Sequence, residues 1–252
     1  MGDRGYEEAV RAAGGVTELA RRIGLSQPSV SNWSRIPAGR VIAVEAATGV
    51  ARTVLRPDLY GAPRDDIAVA RAREYGLLAA LLARAPDAAL LQRLARLEGS
   101  DAALGAAHEA LAAAAATADA EEVEREYFDL FIGVGRGELL PYASYYLTGF
   151  LHERPLARLR ADLETMGIER VEESEPEDHA AILCEIMAGF VDGDFAARAE
   201  EQRYFFDRHV APWMVQFFAD LEGAKAARFY RPVGTVGRVF LGIETQAFAL
   251  PE

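Results

Sequence analysis

Asp178 and His179 stand side by side in Ser174-Glu175-Pro176-Glu177-Asp178-His179, and an acid beside an imidazole can do three kinds of chemistry. A catalytic dyad needs a nucleophile, and no serine or cysteine motif accompanies this pair. The single cysteine, Cys184, reads as a small apolar residue on the inner face of its helix, so no catalytic residue is assigned. A metal site needs more ligands, and His152, His179 and His209 are too scattered in sequence to assemble one. The third chemistry is recognition: a carboxylate flanking a groove pairs with the arginines of a basic peptide, while His179 donates a hydrogen bond or orients Asp178. The structural alternative is a helix-dipole carboxylate beside a satisfied histidine.

The elements that must position these groups read as helices. Ser174 suits an N-cap, Glu177 three residues on suits the return half of a capping box, and Pro176 fits a first turn. Ile182, Leu183, Ile186, Met187, Phe190 and Val191 follow at helical spacing. Upstream, Tyr127, Leu130 and Phe131 have the i, i+3, i+4 spacing of a core stripe. Pro141-Tyr142-Ala143-Ser144-Tyr145-Tyr146 then offers aromatic rings with hydroxyls, suited to a core rim or to an amphipathic wall for a peptide. Between them, Gly133-Val134-Gly135-Arg136-Gly137 is glycine-rich but lacks the Lys-Ser/Thr ending of a phosphate loop, so it reads as a flexible turn. Downstream, Pro212 must break or kink a helix whose apolar stripe comprises Phe206, Val210, Trp213, Phe217 and Leu221.

Taken in order, Tyr127-Phe128-Asp129-Leu130-Phe131-Ile132-Gly133, Pro141-Tyr142-Ala143-Ser144-Tyr145, Glu175-Pro176-Glu177-Asp178-His179 and His209-Val210-Ala211-Pro212-Trp213 resemble the TorD/DmsD family. These are cytoplasmic chaperones of molybdenum-containing oxidoreductases. The resemblance covers the chain from about residue 65 onward. It implies an all-α chaperone domain with no enzymatic turnover and no cofactor of its own. It implies as partner an immature oxidoreductase catalytic subunit, bound through its twin-arginine signal peptide until cofactor insertion is complete. The residues it would assign to that peptide are Tyr127, Leu130, Phe131, Pro141, Tyr142, Ser144, Tyr145, Asp178 and His179. Ala143 stands where relatives often carry Glu, so a contact through that carboxylate is absent here.

The first 62 residues have a separate logic. In Gly15 to Trp33, Thr17 suits the cap of a short helix with Leu19 and Ile23 facing inward, and Ala20 is small enough for a second helix to approach. Gly24 supplies a left-handed turn, Ser26 caps the next helix and Val30 returns to the core. Gln27, Ser31 and Asn32 remain on the outer face, where a recognition helix meets base edges, and Arg22, Arg35 and Arg40 could reach phosphates. The stretch resembles Cro/YdaS-like helix-turn-helix proteins through Ile36-Pro37-Ala38-Gly39-Arg40, Glu45-Ala46-Ala47-Thr48-Gly49-Val50 and Leu55-Arg56-Pro57-Asp58-Leu59-Tyr60. It equally suits a compact trihelical module for protein contacts. A homodimer would multiply weak contacts over two half-sites.

Composition sets the frame. The chain has 252 residues, 51% of them hydrophobic, with a net charge of −12. Residues 1–62 carry a balance of +2 and the remainder −14, which suggests two modules with different partners. No apolar run approaches a membrane span and the N-terminus lacks a signal peptide's apolar stretch, so a cytoplasmic location without membrane insertion is expected. No alternating run is long enough for a sheet. The expectation is all-α: a helix-turn-helix domain over 1–62, a boundary at Gly61–Arg64, and a helical bundle over 65–252. Two roles stay open: the chaperone, and a transcription regulator whose helical domain is a sensor or dimerisation module.

Overall fold

The computed structural model describes residues 3–60, 66–169, 175–195 and 198–250. The chain divides into two compact units, Met1–Asp66 and Ile67–Glu252. The boundary residues Gly61–Arg64 lie outside the described residues, as does Ser174.

The first unit comprises α1 (Arg4–Ala13), α2 (Val16–Arg22), α3 (Gln27–Ser31), a 3-10 turn at Ala38–Arg40, α4 (Val41–Thr48), α5 (Arg52–Leu55) and α6 (Pro57–Tyr60). Asp3 caps α1 by accepting from Gly5 and Tyr6 N–H, and Ser26 caps α3 by accepting from Ser29 N–H. Gly24, between α2 and α3, has φ 70°, a conformation that costs glycine little and other residues more. The cap read at Thr17 is corrected: the cap position is Gly15, two residues earlier, with no side-chain cap bond, and α2 begins at Val16. Ala9, Leu19, Ala20, Val30, Ile36, Val41, Val44 and Leu55 form the buried core.

The second unit is helical throughout its regular structure, and the described residues contain no strand, only an isolated bridge between Tyr142 and His179. Its elements are α7 (Asp66–Ala83), α8 (Ala88–Leu94), α9 (Ala103–Thr117), α10 (Ala120–Tyr127), α11 (Ala143–Thr148), α12 (Arg154–Thr165), α13 (Ala180–Asp192), α14 (Ala199–Phe205), α15 (Met214–Gly223) and α16 (Tyr230–Ala249). Two π-helical turns, Phe128–Ile132 and Phe206–Val210, continue α10 and α14. Asp87 and Asp119 cap α8 and α10 through their carboxylates. Ser100 and Asp101 do not cap α9; the helix starts at Ala103 and its cap position is Ala102, without a side-chain bond. The alanine-rich part of α9 makes a tight helix contact, burying Leu111, Ala112 and Ala115 where α9 packs on α16.

Two buried carboxylates fix α16. Glu126 of α10 accepts from the backbone N–H groups of Arg228, Phe229 and Tyr230, which supplies partners to a helix start that has none of its own. Glu244 accepts both Nε and Nη2 of Arg71 at 2.7 Å and the Tyr75 hydroxyl at 2.9 Å, tying α16 to α7. Against this frame pack α13, with Leu183, Cys184 and Met187 buried, and the aromatic group Phe205, Phe206, Trp213, Phe217 and Phe218. No helix among the described residues is long and apolar enough to cross a membrane.

Candidate binding site

The segments Pro141–Ser144 and Asp178–Ala180 close on each other as one clasp. Ala143 N–H donates to the Asp178 carbonyl at 3.0 Å, and Ala180 N–H donates to the Pro141 carbonyl at 2.8 Å. The Asp178 carboxylate, 1% exposed, accepts the Ser144 N–H through Oδ2 at 2.7 Å. That N–H belongs to the first turn of α11, whose own cap position, Tyr142, makes no side-chain bond. Asp178 is therefore the cap of α11, supplied from a distant part of the chain, and the helix's positive end offsets part of the cost of burying the carboxylate. Asp178 Oδ1 and Ser144 Oγ are buried without a hydrogen-bond partner.

His179 caps the neighbouring helix. Its Nδ1 accepts the Ala181 N–H at 3.1 Å, so α13 begins at Ala180. This corrects the helix start read at Ser174: Pro176 and Glu177 precede the helix in a turn closed by His179 N–H on the Pro176 carbonyl, and Glu177 pairs with Arg160 at 2.9 Å. A ring nitrogen that accepts must be unprotonated, and burial also favours the neutral ring, lowering the His179 pKa to about 4. The Tyr142 ring meets the His179 ring edge-on at 5.1 Å, and its hydroxyl donates to Glu175 Oε2 at 2.6 Å. Burial and then the Glu175 carboxylate push the Tyr142 hydroxyl well above its ordinary pKa, and the charges of Asp178 and Tyr127 add to this.

Tyr127 of the first motif lies within the electrostatic reach of Glu175. Its hydroxyl donates to the Leu82 carbonyl at 3.0 Å, and burial with the Glu175 charge raises its pKa to about 12. Tyr127, Phe131 and Tyr230 stack in a cluster with centroids 5.0 to 5.9 Å apart, with Tyr127 and Phe131 half-buried. The π-helical turn places Leu130 inward at 0% exposure, while Phe128 and Ile132 point to solvent. The Leu130 side chain is thus core, and a ligand would meet Tyr127 and Phe131 instead. Pro141 and Ser144 are also buried; their contribution is the backbone of the clasp. Tyr145 is held by Arg136, whose Nη2 donates to its hydroxyl at 2.6 Å and whose guanidinium lies 5.1 Å from the ring centre.

Asp178 lies between two clefts. The smaller, about 170 Å³, is lined by Tyr142, Ser144, Leu151, His152, Glu175 and Pro176 besides Asp178. The larger, about 340 Å³, includes Ala143, Leu147, Arg154, Arg158, Arg208 and His209 in its wall. His209 bonds Asp162 at 2.8 Å, its carbonyl accepts the Trp213 indole N–H at 2.8 Å, and burial favours its neutral form. His152, His179 and His209 form no metal cluster with other ligands among the described residues. Cys184 is 1% exposed and burial raises its thiol pKa, so its sulfur is not an activated nucleophile. Sequence reading missed Glu175 and the three arginines. Glu175 had a signal, its place in the same motif as Asp178 and His179; Arg208 had none.

In the N-terminal unit Gln27, Ser31 and Asn32 are all exposed on and just after α3. Arg22 is tied to Glu18 and to the Ala47 carbonyl, and Arg35 to Asp58. Arg40 is exposed and makes no ion pair among the described residues.

Comparison with known proteins matches both units. Residues 97–219 match the family of the nitrate reductase delta subunit, and residues 6–64 match that of the bacterial toxin YdaS. The chaperone protein TorD of Vibrio cholerae is 31% identical over 107 residues, covering 38% of this chain and 48% of that protein. TorD of Vibrio atlanticus is 24% identical over 139 residues, covering 51% and 65%, and TorD of Actinobacillus succinogenes is 26% identical over 113 residues, covering 44% and 57%. The chain thus spans about half the length of the curated relatives it matches. A candidate redox enzyme maturation protein from Archaeoglobus fulgidus, known as a crystal structure, aligns with a TM-score of 0.47 at 22% identity, over 68% of this chain and 93% of that one.

Proposed function

We propose, on the premise that this chain joins a YdaS-like module to a helical unit of the TorD/DmsD family, that it is a maturation chaperone. It binds the immature catalytic subunit of a molybdenum-containing oxidoreductase through that subunit's twin-arginine signal peptide, in the cytoplasm, before export. The observation that carries this reading is the closing of Tyr142, Ser144, Glu175, Asp178 and His179 from two separate motifs into one clasp. A twin-arginine peptide is cationic at one end and apolar in the middle. Glu175, at the edge of the small cleft, is the carboxylate placed to meet a guanidinium. The half-buried rings of Tyr127, Phe131 and Tyr142 offer apolar area beside it. No turnover is required of these groups.

Calorimetry with a synthetic twin-arginine peptide tests the site. Glu175→Gln together with Tyr142→Phe should weaken binding by about tenfold, from the loss of one charge-assisted contact. Unchanged affinity in a normally helical variant would remove the clasp from the peptide site.

A second role, DNA binding by the N-terminal unit, rests on the exposed uncharged face of Gln27, Ser31 and Asn32. Most of this unit's arginines are already paired with Glu8, Glu18, Glu45 or Asp58, leaving few cations for phosphates. Mobility shifts with DNA from upstream of the chain's own operon decide it. Binding lost in Asn32→Ala, with a shallow salt dependence, supports a reader. Absence of any shift leaves the chaperone role alone and rules out the alternative of a transcription regulator.

A further inference from the structure

The 340 Å³ cleft on the far side of Asp178 has a charge that the peptide reading does not use. The helical unit carries a balance of −14, yet this cleft is lined by three arginines against one carboxylate. Arg154 and Arg158 lie one turn apart at the start of α12, both exposed, with no hydrogen-bond or ion-pair partner among the described residues. Arg208 joins them from the π-helical turn Phe206–Val210. Its Nε is committed to Asp162 at 2.9 Å, and its remaining N–H groups are donors still to place. The first turn of α12 adds a positive helix end, since Glu153 at the cap position makes no side-chain bond to it. Such a cleft repels the basic end of a signal peptide.

The wall also contains a demand for a donor. Asp178 is 1% exposed, and its Oδ1 has no hydrogen-bond partner, while Oδ2 is satisfied by Ser144. A bare anion would leave that oxygen unsatisfied and add repulsion. An anion that carries a hydroxyl would bring a donor for that oxygen along with its charge for the arginines. Three guanidinium groups and a helix end match the near-double charge of a phosphate monoester better than the single charge of a carboxylate.

We propose that this cleft binds a small phosphate monoester bearing a free hydroxyl, with Arg154, Arg158 and Arg208 on the phosphate and Asp178 accepting from the hydroxyl. The volume suits a ligand of sugar-phosphate size.

The test is calorimetric titration of the full chain with glycerol 3-phosphate, methyl phosphate and glycerol. Glycerol 3-phosphate should bind, methyl phosphate should bind about tenfold more weakly for want of the hydroxyl, and glycerol alone should not bind. Arg154→Ala with Arg158→Ala should weaken glycerol 3-phosphate by about tenfold or more while leaving thermal unfolding and signal-peptide binding unchanged, because both side chains are exposed. Equal affinity for the two phosphates refutes the role of Asp178 without needing an Asp178 variant to fold. Absence of phosphate binding, or affinity unchanged in the double arginine variant, overturns the site.

Discussion

Acidification should unfasten the clasp through His179. Its ring is 5% exposed and serves α13 as a hydrogen-bond acceptor, so the folded chain holds it neutral, with a pKa near 4 against an ordinary 6.5. Above pH 6.5 the ring is neutral whether folded or unfolded and contributes no pH dependence. As pH falls below 6.5 the unfolded chain takes up a proton that the folded chain refuses, and stability is lost progressively until pH reaches about 4. Integrated between about pH 7.5 and about pH 5, the loss is about 2 kcal/mol. For a unit of this size that corresponds to a fall in melting temperature of about 4–8 °C. His209, also held neutral by burial, acts in the same direction. Asparagine at 179 isolates the effect, because it caps helices well and does not titrate. Urea titrations of wild type and His179→Asn at the two pH values should therefore differ in their pH dependence by about 2 kcal/mol. Equal losses in the two proteins would mean that His179 is not held neutral in the fold, and the assignment of its Nδ1 as the cap acceptor would fail.

Other substitutions separate structure from recognition. Asp178→Ala removes the cap of α11 and orphans a buried N–H, for a cost of about 1–3 kcal/mol in denaturant titration. Asp178→Asn keeps an acceptor there and should stay within about 1 kcal/mol of wild type; equal losses from both would refute the capping role. Leu130→Ala should cost about 2–5 kcal/mol, as a fully buried leucine in a packed core does, so a loss of peptide affinity in that variant says nothing about a groove. Cys184 should resist thiol reagents in the native protein and react at the rate of global unfolding, since it is buried and its thiol pKa is raised. Rapid labelling under native conditions would contradict the placement of α13.

The fold class was legible because its signals are local. Helical spacing, the Ser26 cap and the Gly24 turn each act within a few residues, and the structure uses them. Local logic failed at Thr17 and at Pro176–Glu177. At the second, the Ala180 N–H bond to the Pro141 carbonyl and the His179 cap set the helix start elsewhere, while α2 starts at Val16 with no side-chain cap. The site was legible only as a set of motifs. Nothing near Asp178 announces that its partner is the backbone of Ser144, 34 positions upstream, because a cross-element cap has no sequence period. Leu130 was legible: the i, i+3, i+4 stripe marks a core face, and the structure buries Leu130 while leaving Phe128 and Ile132, which lie off that stripe, exposed.

What began as the unexplained pair, Asp178 and His179, is accounted for by two helix caps, and this relocates where specificity is to be sought. A residue that caps a helix is not where preferences among peptide cargoes are varied, since changing it changes the fold first. Asp178 and His179 set the angle at which α11 and α13 leave the clasp, and so the position of everything attached to those helices. The groups free to vary with the ligand are those at the rim: the exposed Glu175, the half-buried Tyr127, Phe131, Tyr142 and Tyr145, and the arginines of the second cleft. A chain of this kind can change partners by altering the rim while keeping the caps. Its preferences among signal peptides should therefore transfer with substitutions at 131, 142, 145 and 175, and not with substitutions at 178 or 179.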